Sequence, residues 1–431
     1  MRDIAVTLLF FFLVYYTIRK PFIGVSAWAW ITFAFPAGWA WGFSNNFRMN
    51  FSVALLTYVS YVFMKNKSKF KIDGISILLF IFWLIALIST LVTDSILVDY
   101  SWGKFENFTK LLLFYFAILL IVNKKVHVDT LIWSIVLSIS SYAALESFKF
   151  LVSGGGHRVA GLSGHMLGDR NDLSVAINMS IPLIIYLISQ TKHKLLRTGL
   201  IFLAILNVVA IVGTYSRGGF IGLIILAGYF LIKSKRKTLW IIVTIIALSI
   251  ASSLVPSGWS DRMNSVSTAS SQDGSFIGRL WAWKISVKIA NNNFFGNSFL
   301  ASQDPLAWGL YRTEIDDFGP IDTPPIPADK AAKAAHNLYF QVLGDLGYIG
   351  LLTYLLIIFI LYLRLKKLSQ KARLHGYEWC SQLSSMMSVS LIAFMMTGAN
   401  VSMAYFDLFY ILIALSYVIE YKIINLELDK K

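Results

Sequence analysis

The 431 residues would suffice for two or three soluble domains, but 57% hydrophobic residues, 14% charged ones and a mean hydropathy of +0.65 exclude that reading. A soluble domain carries about 25% charged residues, whereas these charges are gathered into short clusters between long apolar runs, the pattern of a chain whose solvent is lipid. The net charge of +15 does not point to nucleic acid, because no basic stripe with interleaved aromatics lies outside the apolar runs, and a single cysteine, Cys380, excludes a disulfide framework and a CxxC metal or redox site.

In chain order, apolar runs fall near 4–18, 21–40, 51–64, 74–93, 105–122, 130–152, 173–190, 199–214, 219–232, 238–255, 346–363, 380–398 and 403–421. The first lacks a small-residue cleavage site before Arg19-Lys20-Pro21 and reads as a retained helix. Several runs are shorter than the roughly 20 residues of a straight span, and the first two read either as separate spans or as one span plus a re-entrant piece. The expected fold class is therefore an all-α, polytopic integral membrane protein with about 12–13 transmembrane helices and one large periplasmic loop containing short helices. Its expected divisions are 1–255 (about ten helices), the loop 256–345, and 346–431 (about three helices and a tail).

Basic clusters occupy alternate connections: Lys65 to Lys71, Lys124-Lys125, Lys192 to Arg197, Lys233 to Lys237, Arg364 to Arg373 and Lys430-Lys431. A topology with all six on the cytoplasmic side puts 23 of the 38 Lys and Arg there with only 6 of the 23 Asp and Glu, a net +17 against −2 outside. The positive-inside rule then sends the large loop, the segment 154–172 and the short break 215–219 to the exterior. Chemistry is expected on that side.

Arg217 stands in Thr214-Tyr215-Ser216-Arg217-Gly218-Gly219, a break of a few residues between two apolar runs. A guanidinium there sits at the membrane surface, where it costs several kcal/mol unless an anionic or polar group pairs with it. The following glycines permit close backbone approach, and the helix they open presents its N-terminal amides outward. Such an arginine either binds phosphate or snorkels to lipid headgroups. Arg279 opens Gly278-Arg279-Leu280-Trp281-Ala282-Trp283-Lys284-Ile285-Ser286-Val287-Lys288, in which Leu280, Trp283 and Val287 share one helical face and Trp281, Lys284 and Lys288 another. That spacing predicts a helix on the outer membrane surface, holding Arg279 over a lipid diphosphate or merely touching headgroups.

His127, His193 and His375 fall in cytoplasmic basic connections and read as solvated. His157 and His165 lie in a glycine-rich loop suited to lid or acceptor contacts. His336, in Ala335-His336-Asn337-Leu338-Tyr339-Phe340-Gln341, precedes the re-entry helix expected near Gly347, so it is either a general base for a hydroxyl or a satisfied interfacial histidine. Glu314, Asp316, Asp317 and Asp322, beside four prolines, read as a solvated loop, and no carboxylate spacing compels a metal site. Walker, GxSxG, HExxH and dinucleotide motifs are absent from any supporting context.

Four stretches carry a resemblance: Gly168-Asp169-Arg170-Asn171-Asp172-Leu173, Thr214 to Gly219, Gly278 to Trp283, and His336-Asn337-Leu338-Tyr339-Phe340-Gln341-Val342-Leu343-Gly344-Asp345-Leu346-Gly347. In order, spacing and side they resemble the bacterial O-antigen ligase, O-antigen polymerase and O-oligosaccharyltransferase superfamily of membrane glycosyltransferases. Arg19-Lys20-Pro21-Phe22-Ile23-Gly24, Trp28-Ala29-Trp30 and Trp41-Gly42-Phe43 further resemble the O-glycosylation ligases of exosortase-associated loci. Departures are Asp345, where the family often has glutamate, and a segment 169–172 more charged than usual.

The resemblance implies a metal-independent, cofactor-free transfer of a glycan from an undecaprenyl diphosphate carrier to an acceptor hydroxyl on lipid, protein or another glycan, at the periplasmic face of the bacterial inner membrane. It implies that Arg217 and Arg279 hold the diphosphate and that His336 is catalytic, with Arg158, Arg170, Asp172 and Tyr339 as candidate substrate contacts. Expected partners are the lipid-linked donor, the acceptor and membrane lipids, with no nucleic acid. A repeat-unit polymerase has the same chemistry. A polysaccharide or lipid transporter should instead place paired ionisable groups at the membrane midplane, where these runs are nearly charge-free, and a non-catalytic scaffold should tolerate loss of Arg217 or His336.

Overall fold

The computed structural model describes residues 1–233, 238, 274–315 and 323–425, apart from 66 and 69. Nearly all of the span expected over 238–255, Arg262, and the acids Asp316, Asp317 and Asp322 lie outside these residues. The described residues form helices and connecting turns with no strands among them. Among the described residues nine α-helices precede the large loop: α1 (Arg2–Arg19), α2 (Pro21–Ala34), α3 (Met49–Val62), α4 (Gly74–Val92), α5 (Val98–Ile121), α6 (Lys125–Val152), α7 (Arg170–Gln190), α8 (Lys194–Gly213) and α9 (Arg217–Lys233). The loop contributes α10 (Gly274–Asn292) and α11 (Pro305–Tyr311), and the chain then returns as α12 (Leu338–Leu374), α13 (Glu378–Thr397) and α14 (Asp407–Tyr417), the last running on into a π turn, Val418–Ile424.

Among the described residues six helical segments are long and apolar enough to cross a membrane: α4, α6, α7, α8, α12 and Glu378–Asn400. The protein is an all-α, multi-pass membrane protein. The two first runs are separate helices. Lys20 is extended and Pro21, which has no N–H to leave unpaired, opens α2. The carboxylate of Asp3 at the start of α1 accepts from the amides of Gly42 and Ser44 and from the Ser44 hydroxyl, so the hairpin brings the start of α1 beside the segment after α2. At 14 residues, α2 and α3 each reach about 21 Å, short of a bilayer core of about 30 Å.

The bundle has two chemically distinct ends. At the basic end Asp73 caps α4 and pairs with Arg364, whose Nε also reaches Glu420 at 3.1 Å. The buried ammonium of Lys422 binds the carbonyls of Leu119 and Leu120 and the Ser68 hydroxyl. At the opposite end the loop is fastened to the membrane helices. Ser89 donates to the Asp345 carbonyl (2.8 Å), Ser101 to that of Phe299 (2.7 Å) and Thr93 to the Asn297 side chain (2.8 Å). Gly347 breaks α12 with φ +67°, and a Cβ there would meet the Phe294 carbonyl. Only glycine allows both the conformation and the approach. The Asp345 carboxylate is buried against the Ala301 amide and the Tyr405 hydroxyl, a structural tie.

The loop helix departs from the sequence expectation. Both of its anticipated faces are covered. Ile277, Trp281, Ile285 and Ile289 pack with Ala301, Trp308 and Ile315, while Val287 and Ala290 pack on Leu343 of α12. Lys284 is 2% exposed and donates to Thr323. The two stripes that suggested a surface helix are both packed inside the protein, because Ala301, Trp308, Ile315 and Ile326 on one side and Leu343 on the other cover what periodicity alone would leave to headgroups.

Candidate functional site

Arg217 begins α9 after a two-residue elbow. Tyr215 takes the left-handed conformation, φ +52°, which a bulky residue adopts only under constraint. Its hydroxyl donates to the Gly155 carbonyl (2.6 Å), and Arg170 donates to the carbonyls of Thr214 (3.3 Å) and Tyr215 (3.0 Å). Ser216 then caps α9 by accepting from the Gly219 amide. The glycines after Arg217 are packing necessities. A Cβ on Gly218 would lie 2.8 Å from Asn400 and one on Gly219 2.6 Å from Ser174, so α9 lies directly against α7 and the turn after α13. Asn178 secures that contact by donating to the Gly219 carbonyl (3.0 Å).

His336 is held as tightly. Its φ is +45°, and its neighbours are fixed on both sides. The Ala335 amide donates to Ser302, the Ala335 carbonyl accepts from the Trp283 indole (2.6 Å), and the Asn337 side chain caps α12. The Trp283 ring also stacks on Phe340 at 4.9 Å, tying α10 to α12 across the histidine. Backbone strain kept in place by such surroundings is a mark of functional sites.

The imidazole is partly buried, and desolvation is the main cause holding its proton affinity below that of an ordinary histidine. Arg279 adds to this effect, Asp169 opposes it and Lys333 again adds to it. Those three charges come from different parts of the chain: the first turns of α10, the residue capping α7, and the segment leading to His336. The Trp283–Ala335 hydrogen bond and the contact of Gly278 with Lys333 bring the part of α10 that carries Arg279 against the segment leading to His336. The turn after α13 runs from the start of α12 to the start of α9: Gly398 abuts Leu338, next but one to His336, while Asn400 abuts Gly218, next to Arg217.

The expected substrate contacts fare differently. Arg158 is exposed and its charge reaches Tyr215. Asp172 lies in the first turn of α7 beside this cluster. Arg170 is turned onto the elbow it supports, and the Tyr339 hydroxyl is given to the Met395 carbonyl (3.0 Å), so both have structural duties that side-chain chemistry alone did not reveal. His157 contacts Glu146 (2.7 Å) and His165 contacts the Thr32 carbonyl (2.8 Å) while stacking on Phe35, so both fasten the glycine-rich loop that suggested lid or acceptor contacts. Sequence reasoning missed Asp169 and Lys333. Asp169 had a signal, as an acid opening a helix in front of an apolar run. Lys333 had none.

A strained, cation-rich site at one end of a multi-pass helical bundle defines the class of protein. Residues 202–355, a stretch containing Arg217, Arg279 and His336, match the family model described as O-Antigen ligase. Residues 1–192 match a family of unknown function, DUF5935. No curated protein matches the chain. The family is one of glycosyltransferase-like ligases.

Proposed function

We propose that the chain is a metal-independent, inverting glycosyltransferase that moves a glycan from an undecaprenyl diphosphate carrier to an acceptor hydroxyl at the periplasmic face of the bacterial inner membrane. The observation that carries this reading is the packing of the part of α10 that carries Arg279 against the segment leading to a strained His336, inside the stretch that matches the ligase family and also holds Arg217. Residues 1–255 and 346–431 would hold the lipid, and the loop 256–345 would cap it.

In this mechanism His336 accepts the proton of the acceptor hydroxyl as that oxygen bonds to the anomeric carbon. The bond from that carbon to the diphosphate breaks on the opposite side, the leaving group keeps the electron pair, and the configuration inverts. Arg217 and Arg279 stabilise the charge that grows on the departing diphosphate, which lowers the barrier because they bind it better as it becomes more negative. Burial and the nearby cations keep the imidazole unprotonated in the resting site, as a base requires.

The test is glycan transfer in a deletion strain carrying wild type, Arg217→Ala, Arg279→Ala or His336→Ala, with expression and lipid-linked glycan quantified. Each variant should lose about 100-fold or more of transfer and accumulate lipid-linked donor. Transfer persisting in all three overturns the assignment. The length distribution of the wild-type product separates a ligase from a repeat-unit polymerase.

A further inference from the structure

Gly278 is an anomaly in α10. An interior helical glycine costs about 1 kcal/mol relative to alanine, and no turn requires it here. What occupies the space is the side chain of Lys333: a Cβ on Gly278 would lie 2.8 Å from Nζ, 2.9 Å from Cδ and 3.3 Å from Cε. The lysine therefore runs across the bare backbone immediately before Arg279, and it stands three residues before His336. Two cations, one from the loop helix and one from the strap leading to the histidine, are thereby set side by side at the mouth of the site.

We propose that Lys333 is a third cation of the donor site, its ammonium binding the anionic diphosphate together with Arg279, in the space that Gly278 leaves open. This rests on the reading of the site as a diphosphate site. The two groups suit complementary tasks: the guanidinium offers a fixed fork, whereas the ammonium on its flexible stem follows the phosphate as it departs. The charges facing His336 are Arg279 from α10, Lys333 from the strap and Asp169 from the start of α7. A diphosphate seated between the two cations offsets both. The proton affinity of the imidazole then rises when the donor is in place, which is when a proton must be taken.

The experiment measures binding of farnesyl diphosphate, with farnesol as the uncharged comparison, to the purified full-length chain in detergent. Lys333→Ala should weaken diphosphate binding about tenfold, the equivalent of one charge-assisted contact. Lys333→Arg should lose less, and Gly278→Ala should lie between, because its methyl displaces the ammonium without removing it. Farnesol binding should not change, and thermal melting should show all variants folded. Lys333→Ala binding like wild type while Arg279→Ala loses affinity would overturn the role of Lys333 and leave the site standing. If wild type does not prefer farnesyl diphosphate to farnesol, the diphosphate reading itself fails and takes this inference with it.

Discussion

The two ends of the bundle use charge in opposite ways. At the basic end the ionised groups close on one another: Asp73 with Arg364, Arg364 with Glu420, and Lys422 on two backbone carbonyls and a hydroxyl. At the other end Arg158, Arg170, Arg217, Arg279 and Lys333 gather around the elbow and His336 with Asp169 and Asp172. The first arrangement holds helices in register, since each buried charge is answered within the protein. Among the described residues the second brings five cations and two acids together on backbone held in strained conformations, a balance that suits an anion that comes and goes.

That contrast can be broken most forcefully at the basic end. Arg364→Ala would leave the carboxylate of Asp73, 1% exposed, without its partner, and stranding a buried charge costs about 3–5 kcal/mol. Thermal unfolding in detergent should register that loss, while transfer per folded molecule stays at the wild-type level. A transfer defect with unchanged melting would mean that the basic end takes part in catalysis and that the two ends are not separable. A smaller effect sharpens the role of the glycines after Arg217. Gly222 faces Thr397 and Asn178 in the next turn of α9, and a methyl there presses into Thr397. Gly222→Ala should cost about 1–3 kcal/mol by overpacking, read as a lowered melting temperature. An unchanged melting temperature would show that the helices separate easily and that the elbow is not rigidly seated.

Much of this was legible in the sequence because bilayer physics is written locally. Charge clusters between apolar runs marked most of the helices, and the few residues between α8 and α9 marked Arg217. His336 was legible from its place before the returning helix. What could not be read was set by contacts distant in sequence. The stripes of α10 looked like a membrane-surface helix because nothing local says that Ala301, Trp308, Ile315 and Ile326 cover it. Arg170 and Tyr339 looked like substrate contacts because a donor's partner, here a carbonyl 45 or 56 residues away, leaves no mark nearby. Lys333 became visible only where its stem crosses Gly278, 55 positions earlier.

The smallest effect is the most discriminating one. Asp169 both caps α7, accepting from the Asn171 amide at 2.7 Å, and opposes the cations around His336. Asparagine is as good a helix cap as aspartate, so Asp169→Asn should keep the helix start while deleting the charge. With that charge gone, the proton affinity of His336 falls further below the ordinary histidine value. A base works only when unprotonated, so transfer is lost as pH drops through the imidazole's own pKa, and the acid limb of the rate profile should move to lower pH in Asp169→Asn. Lys333→Ala removes a cation instead and should move the same limb to higher pH. Opposite displacements from two residues of opposite charge would identify that ring as the titrating base. An acid limb that neither substitution moves would assign the titration to some other group and remove His336 from the proton transfer.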